Sequence, residues 1–219
     1  MVAAHLVLQA LRVRAAAAGL AAGVNAPAGP RATSTFVGAG MLAPDGRCKT
    51  LDAGADGYGR GEGCVILRMV ALPPGGEEAP AAPAPLSILA LGSCINQDGR
   101  SSSLTAPHGP SQTAAVGAAL ADGGVAAADL GAVALHGTGT PLGDPLEVEA
   151  LVDAAGKVGG THPRLPLSLT APKSSAAHGE TAAGVTGLSR IVARLLGLAG
   201  DSLTHLRALN PHAARAARA

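Results

Sequence analysis

The hydrophobic positions in the first part of the chain predict one helix and two strands on either side of a long loop. Residues 2–18 carry apolar side chains at helical spacing, which predicts an amphipathic helix that Gly19 would end. Residues 20–24 are a short apolar run typical of a buried strand, and the run at residues 64–70 is typical of a strand that leaves the loop. Residues 33–63 are rich in Gly and Asp, and irregular loops of this length usually carry function.

In the second part of the chain, predicted strands alternate with predicted helices. Asp144 stands where a helix N-cap is expected, and Pro145 suits the first helical position. The alternation predicts an α/β fold with a buried sheet. The predicted strands cover residues 86–95, 130–135 and 165–169, and the predicted helices cover residues 111–121, 145–155 and 178–198.

A Pro- and Gly-rich segment at residues 71–85 separates the two parts. Proline fits neither the interior of a helix nor a central strand, so this segment predicts a surface connection and an internal domain boundary. We therefore divide the chain into residues 1–85 and residues 86–219.

Composition narrows the classes of protein to which this chain can belong. The 219 residues are 47% apolar and 14% charged, which fits a compact soluble protein and excludes a disordered one. The formal net charge of +1 argues against a strongly basic nucleic-acid binder, and Phe36 and Tyr58 are too few aromatics for base stacking. No apolar stretch is long enough to span a bilayer.

The three cysteines have no C-x-x-C spacing and indicate neither a disulfide framework nor a zinc site. A reducing, cytoplasmic location is therefore the default expectation, and no metal is expected. Because the first acidic residue is Asp45 and the N-terminus carries arginines, an organelle-targeting segment stays an alternative.

Two histidines, His136 and His178, each follow a predicted strand and stand next to small residues. The segment H-G-T-G-T-P-L-G-D from His136 offers an imidazole, hydroxyls and backbone N–H groups, a combination that suits a carbonyl or an amide. Lys173 supplies a cation near His178, whose place at a helix start favours a neutral imidazole that donates to an oxyanion. A lone histidine after a strand is more often a structural hydrogen-bonding residue, so both interpretations stay open.

Several motifs, in order along the chain, resemble those of one enzyme family. The segment G-M-L-A-P-D-G-R-C-K-T at residues 40–50, followed by A-D-G-Y-G-R-G-E-G at residues 55–63, is similar to the central loop of the β-ketoacyl synthase domain of type I polyketide synthases. Residues 136–144 match the same family, and residues 173–187 match it more loosely. Animal-type fatty acid synthases share a weaker form of the pattern. Further matches are I-N-Q-D-G-R at residues 95–100, L-T-A-P at residues 104–107 and G-P-S-Q at residues 109–112.

This resemblance implies a thiolase-like fold, layered αβαβα, and carbon–carbon bond formation by decarboxylative Claisen condensation. In the family, a cysteine holds the growing acyl chain as a thioester, and two histidines promote decarboxylation of a malonyl-type extender. By position, His136 and His178 would be that pair, and Lys173 would orient and support the His178 side. Thr138 and Thr140 would hydrogen-bond the phosphopantetheine arm that carries the extender.

The resemblance also implies partners. Acyl carrier protein would deliver the substrates on its phosphopantetheine, so no cofactor would be bound directly. The intact family implies a homodimer, and neither nucleic acid nor a membrane is expected as a partner.

The family's nucleophile has no counterpart in this sequence. In the family the cysteine stands in a D-T-A-C-S-S-S-type elbow at the start of a buried helix, and that helix resembles residues 1–15 here. At the other end, residues 203–212 resemble the stretch before the family's closing Gly-Phe-Gly-Gly strand. We therefore expect the central part of a ketosynthase, with residues 1–85 from its N-terminal half and residues 86–219 from its C-terminal half without the last strand.

None of the three cysteines is expected to replace that nucleophile. Cys48 and Cys94 lie in motif loops and Cys64 starts an apolar run, so none has an elbow followed by a helix. We expect each of them to be a small buried hydrophobe.

The second histidine motif departs from the family's usual K-S-N-x-G-H. Ser175 stands in place of Asn, Ala177 in place of Gly, and Pro172 removes a backbone donor beside Lys173. If the glycine position needs a positive φ, alanine costs about 1 kcal/mol or more there and can displace His178.

The sequence thus predicts a truncated ketosynthase domain that cannot complete condensation as an isolated chain. Residual decarboxylation of a malonyl thioester through His136 and His178 is a second hypothesis. Two alternatives stay open: a non-catalytic module that dimerises or docks acyl carrier protein, and an incomplete gene model of a larger enzyme.

Overall fold

The computed structural model describes residues 1–72, 88–99, 106–157, 166–200 and 202–218. These residues form a mixed α/β fold with two small sheets, which confirms the predicted fold class. The elements are α1 Val2–Arg12, β1 Ala18–Asn25, α2 Pro30–Gly38, β2 Gly63–Val70, α3 Gly109–Gly123, β3 Ala132–Ala134, α4 Gly143–Lys157, β4 Ser168–Thr170, α5 Lys173–Ala176, α6 Glu180–Leu195 and α7 Pro211–Ala216.

Strands β1 and β2 pair antiparallel along their whole length, from Ala18 opposite Val70 to Asn25 opposite Gly63. Helices α1 and α6 pack on this sheet. Gly23 permits the close approach of α6, because a Cβ on this residue would lie 2.9 Å from the Cα of Ala182. The small residues of β1 therefore determine how near the helix lies.

Strands β3 and β4 pair parallel, with Ala132 opposite Ser168, and α4 lies between them in the chain. A parallel pair needs a crossover connection, and α4 is long enough to provide it. This helix also packs on α3 and on α7. The buried core around β3, β4 and α4 consists of Leu135, Val148, Ala171 and Ala213, together with Leu51 from the loop before β2.

Asp52 joins the loop between α2 and β2 to the C-terminal segment. Its carboxylate accepts hydrogen bonds from the N–H groups of Arg207 at 2.6 Å and Ala208 at 2.9 Å. Asn210 donates its N–H to the carbonyl of Leu51 at 2.8 Å, and its side chain caps α7. The Asp52 carboxylate and the cap residue Asn210 thus hold the segment that leads into α7 against the loop between α2 and β2.

The N-terminal part differs from the sequence prediction in three places. Helix α1 ends at Arg12, well before residue 18, because residues 18–25 pair with β2. The predicted loop at residues 33–63 begins only after Gly38, because α2 starts with Pro30 at its first position and extends to Gly38. The strand predicted to be buried at residues 20–24 lies in a sheet with one open face, on which Leu20 and Ile66 are 65% and 59% exposed.

The second part contains three further corrections. No strand covers residues 88–95, because no described residue pairs with them and a strand needs a neighbour for its hydrogen bonds. Asp144 is not the N-cap of α4, which already begins at Gly143. The predicted helix 178–198 begins later than expected, at Glu180, so His178 lies just before α6.

Parts of some predictions fall on residues that the structure leaves undescribed. They include most of the predicted connection at residues 71–85, the first residues of the predicted strand 86–95, residue 165 and motif residues 100 and 104–105. Among the helices of the described ranges, none is long and apolar enough to cross a membrane.

We predict that Gly139→Ala lowers the free energy of unfolding by about 2 kcal/mol or more. Gly139 has φ +80°, and a Cβ there would lie 2.5 Å from the backbone nitrogen of Lys49. The substitution therefore adds a backbone clash to a conformational cost. Urea unfolding of the variant and the unmodified chain measures the difference.

Gly124→Ala is the matched control. Gly124 has φ +61° at the end of α3, and a Cβ there would have no heavy atom within 4 Å, so it carries only the conformational cost of about 1 kcal/mol. Equal losses for the two variants would show that the contact between Gly139 and Lys49 is not close in solution.

Candidate active site

His136 stands just after β3, at the end of the parallel strand pair. Its backbone N–H donates to Oε1 of Glu147 at 2.5 Å, and the N–H of Gly137 donates to Oε2 at 2.9 Å. One carboxylate from α4 therefore receives two successive backbone donors of the turn. This contact positions the backbone that carries the imidazole.

His178 lies in the short connection between α5 and α6. Its N–H donates to the carbonyl of Gly59 at 2.7 Å, and the N–H of Gly61 donates to the carbonyl of His178 at 2.9 Å. The N–H of Glu180 donates to Nδ1 of the His178 ring at 2.8 Å. Because Nδ1 accepts this bond, the proton of a neutral ring resides on Nε2, which is the donor left for a ligand.

The structure brings the two predicted histidines together. Their ring centroids are 5.4 Å apart and the rings are nearly perpendicular, at 82°. Tyr58 also packs against His178, with ring centroids 5.0 Å apart. Both imidazoles therefore occupy one small region.

Lys173 belongs to the same region and forms hydrogen bonds with His136. Its Nζ lies 2.6 Å from the carbonyl oxygen of His136 and 3.4 Å from Nδ1 of the same ring. Support for the His178 side stays a prediction, and the charge of Lys173 also acts on the His178 ring. The contact with His136 arises because Lys173 begins α5 shortly after β4, which pairs with the strand that ends just before His136.

Desolvation by burial lowers the pKa of His136 and of His178 to about 4, and the charge of Lys173 adds to both shifts. Both rings are therefore neutral at neutral pH. By surface area His136 is exposed and His178 is half-buried, so a ligand can reach both residues. The sequence attributed a neutral His178 to a helix N-terminus, whereas burial is the main cause.

Burial also perturbs the charged groups behind the histidines. It lowers the pKa of the Lys173 ammonium, while the Glu147 carboxylate opposes that change. It raises the pKa of Glu147, and the backbone donors of Gly137 and His136 counteract the rise. Glu147 was not among the residues predicted from the sequence, although it follows Asp144 at the i+3 spacing that places both on one helix face.

Thr138 and Thr140 lie in the turn after His136. Thr138 is 7% exposed, and its Oγ1 lies 3.4 Å from Oγ1 of Thr140. Thr140 accepts a hydrogen bond from the N–H of Gly143 at 3.2 Å. The two hydroxyls are thus adjacent to each other and close along the chain to His136.

A largely apolar cavity of about 330 Å³ adjoins this turn. His136 and Thr138 form part of its wall, and the remainder comes mainly from α3, β3 and α4. Within the described ranges, no three His, Cys, Asp or Glu side chains are grouped so that they could hold a metal ion.

The cysteines divide into one buried and two accessible residues. Cys48 is 1% exposed, its Sγ accepts the N–H of Gly59 at 3.3 Å, and burial raises its thiol pKa. The prediction of a small buried hydrophobe therefore holds for Cys48. It is wrong for Cys64, which is exposed on the open face of β2, and Cys94 is partly exposed.

Two protein-family models match this chain. The model of the β-ketoacyl synthase C-terminal domain matches residues 88–197, and that of the N-terminal domain matches residues 1–71. This chain belongs to the β-ketoacyl synthase family. The resemblance seen in the motifs is therefore confirmed.

Relatives of this ketosynthase chain are much longer synthases. It is 40% identical over 212 residues to mycoketide-CoA synthase of Mycobacterium tuberculosis, covering 97% of this chain and 5% of that protein. It is 40% identical over 195 residues to erythronolide synthase EryA3 of Saccharopolyspora erythraea, covering 89% of this chain and 6% of that protein. It is 41% identical over 192 residues to polyketide synthase GfsA of Streptomyces halstedii, covering 88% of this chain and 2% of that protein. The chain thus spans only a small part of the length of each relative.

Solved structures confirm the predicted thiolase-like ketosynthase fold. The ketosynthase from module 6 of the bacillaene synthase of Bacillus subtilis 168 has a TM-score of 0.85 at 30% identity, over 95% of this chain and 37% of that chain. The oxazolomycin ketosynthase domain OzmH KS7 of Streptomyces albus JA3453 has a TM-score of 0.87 at 30% identity, over 96% of this chain and 37% of that chain.

Ala177 precedes His178 with φ +57° and ψ −175°, a conformation that glycine adopts far more readily than alanine. The condition stated for this position, a positive φ, is therefore met. We predict that Ala177→Gly raises the free energy of unfolding by about 1 kcal/mol or more, measured by urea unfolding. Ala176→Gly is the control, because a glycine in helical α5 should lower stability. A loss of stability in both variants would contradict the strained conformation of Ala177.

The histidine environment predicts an unusual titration. By NMR, the His136 and His178 rings should take up protons below the ordinary pKa of 6.5, at about 4. Between these values the unfolded chain binds protons that the folded chain excludes, so the free energy of unfolding should fall as the pH falls through this window. Titration of both rings near 6.5 would show that the site is open to water.

Proposed function

We propose that this chain carries out the decarboxylation step of β-ketoacyl synthase chemistry on malonyl-type thioesters. The observation that carries the proposal is the pairing of two neutral imidazoles in one site, with ring centroids 5.4 Å apart. Family membership supplies the substrate class, since the relatives include polyketide synthases.

In this step the bond between the malonyl methylene carbon and the carboxylate carbon breaks. The electron pair of that bond moves into the thioester as an enolate, and the carboxylate leaves as CO2. A neutral ring with its proton on Nε2 can donate a hydrogen bond to the thioester oxygen as negative charge develops there. His178 has this tautomer through its contact with Glu180, and His136 would share the oxygen.

The other predicted residues have supporting roles in the proposal. Lys173 holds the carbonyl of His136 and adds positive charge near the pair. Thr138 and Thr140 would hydrogen-bond the phosphopantetheine arm of an acyl carrier protein, which is the proposed partner. Each of these roles follows from position in the turn or in the histidine cluster.

We further propose that the isolated chain does not complete condensation. That step needs a thiolate that accepts an acyl group, and burial keeps the Cys48 thiol protonated and covered. Cys64 lies on the open face of the β1–β2 sheet and is not part of the histidine cluster. Water would then protonate the enolate, which yields an acetyl thioester.

The test is CO2 release from malonyl-loaded acyl carrier protein. The unmodified chain should release CO2 above the uncatalysed rate, and His136→Ala or His178→Ala should lower the rate by about 100-fold. His212→Ala is the matched control, because His212 is exposed on α7, and it should leave the rate unchanged.

Release by His136→Ala at the rate of the unmodified chain would contradict the decarboxylation proposal. Intact-mass spectrometry after incubation with an acyl thioester tests the second part. A stable acyl adduct that disappears when one cysteine is substituted would show that this chain has a nucleophile for condensation, and would contradict the second part of the proposal.

A further inference from the structure

An ion pair between Arg60 and Glu180 lies directly behind His178. Arg60 belongs to the loop before β2, and Glu180 is the first residue of α6. The guanidinium Nε is 2.6 Å from Oε1, and Nη2 is 3.3 Å from Oε2, so two donors meet the two carboxylate oxygens. The side chains are only 9% and 24% exposed.

Helix α2 holds the same guanidinium from another side. Nη1 donates to Oγ1 of Thr33 at 2.5 Å, and the guanidinium carbon lies 5.2 Å from the centre of the Phe36 ring. Arg60 therefore has little freedom to move, and its orientation determines where the Glu180 carboxylate lies.

The backbone of Glu180 is strained. Its φ is +39°, in a region that non-glycine residues seldom occupy. Such a conformation persists when surrounding contacts determine it. The strained residue is also the one whose N–H donates to Nδ1 of His178 at 2.8 Å.

The backbone on either side of Arg60 also hydrogen-bonds the backbone of His178. Gly59 accepts from the His178 N–H, and Gly61 donates to the His178 carbonyl. A Cβ on Gly61 would lie 2.5 Å from the carbonyl oxygen of Ala176, so this loop is seated closely against the residues before His178. The main chain of the loop holds His178, and the Arg60 side chain extends past it to Glu180.

We propose that Arg60 is a positioning residue for His178 and acts through Glu180. The ion pair holds Glu180 in its positive-φ conformation, so that the Glu180 N–H occupies Nδ1 and the ring proton stays on Nε2. Only the use of that proton toward a thioester rests on the proposed function; the tautomer itself does not.

The test measures the tautomer directly, by long-range 1H–15N NMR of 15N-histidine-labelled chain. In the unmodified chain His178 should show the Nε2–H form alone. Arg60→Met removes the guanidinium at similar volume and should give a mixture of both tautomers. Arg60→Lys keeps the charge without the two-donor contact and should give an intermediate mixture.

Glu180→Gly is a second variant in case Arg60→Met fails to fold. Glycine adopts φ +39° without strain, so this variant removes the carboxylate and keeps the fold. Because nothing then holds the amide against Nδ1, it should also give mixed tautomers. Arg12→Met is the control, since it breaks the remote ion pair of Arg12 with Asp122 and should leave the His178 signals unchanged.

Decarboxylation supplies a second readout. Arg60 does not touch the reacting atoms, so Arg60→Met should lower kcat about tenfold with KM unchanged, a loss typical of partners that orient a functional histidine. A pure Nε2–H form in both Arg60→Met and Glu180→Gly would overturn the positioning role. If the variants show the expected tautomers but the unmodified chain releases no CO2, the positioning role of Arg60 stands and the proposed function is contradicted.

Discussion

Close contact between the loop that joins α2 to β2 and the turn after β3 organises this molecule. Thr50 donates its hydroxyl to the carbonyl of Gly137 at 2.6 Å, and Gly57 donates its N–H to the carbonyl of Gly139 at 3.0 Å. Asp144 accepts the N–H of Leu51 at 2.8 Å and that of Gly139 at 3.1 Å. Backbones can come this near only where no side chain intervenes, which explains the glycines on both sides.

That contact assembles the histidine pair. The turn carries His136, and the same loop reaches His178 a few residues later through Gly59 and Gly61. The two imidazoles come from segments far apart in the chain and meet because one loop contacts both. The protein atoms packed around the rings displace much of their water, which keeps the rings neutral.

The shortage of aromatic residues has a local consequence. The chain has one Phe and one Tyr, and both lie beside the candidate site. Tyr58 packs against both Phe36 and His178, with centroid distances of 6.4 Å and 5.0 Å. Elsewhere the core relies on Ala, Leu and Val, and its helices and strands pack closely because the side chains between them are small.

Local elements and motif segments can be predicted from the order of the residues. Short apolar runs identified β1 and β2, and the alternation of strands with helices included α3, since such patterns depend only on neighbours along the chain. The glycine-rich turn identified His136, and the family motif marked Ala177 as a position where a positive φ would matter. Motif order was enough to predict the family, because residue types at fixed spacing need no coordinates.

How these segments meet depends on contacts between residues that are distant in the chain. Lys173 contacts His136 although 37 positions separate them in the chain, and Arg60 contacts Glu180 although 120 positions separate them. A local sequence pattern cannot predict such contacts. Residues 88–95 have the composition of a strand, yet no described residue pairs with them, because pairing depends on a neighbour and not on propensity. The neutral state of the histidines likewise comes from burial, a property of the folded chain alone.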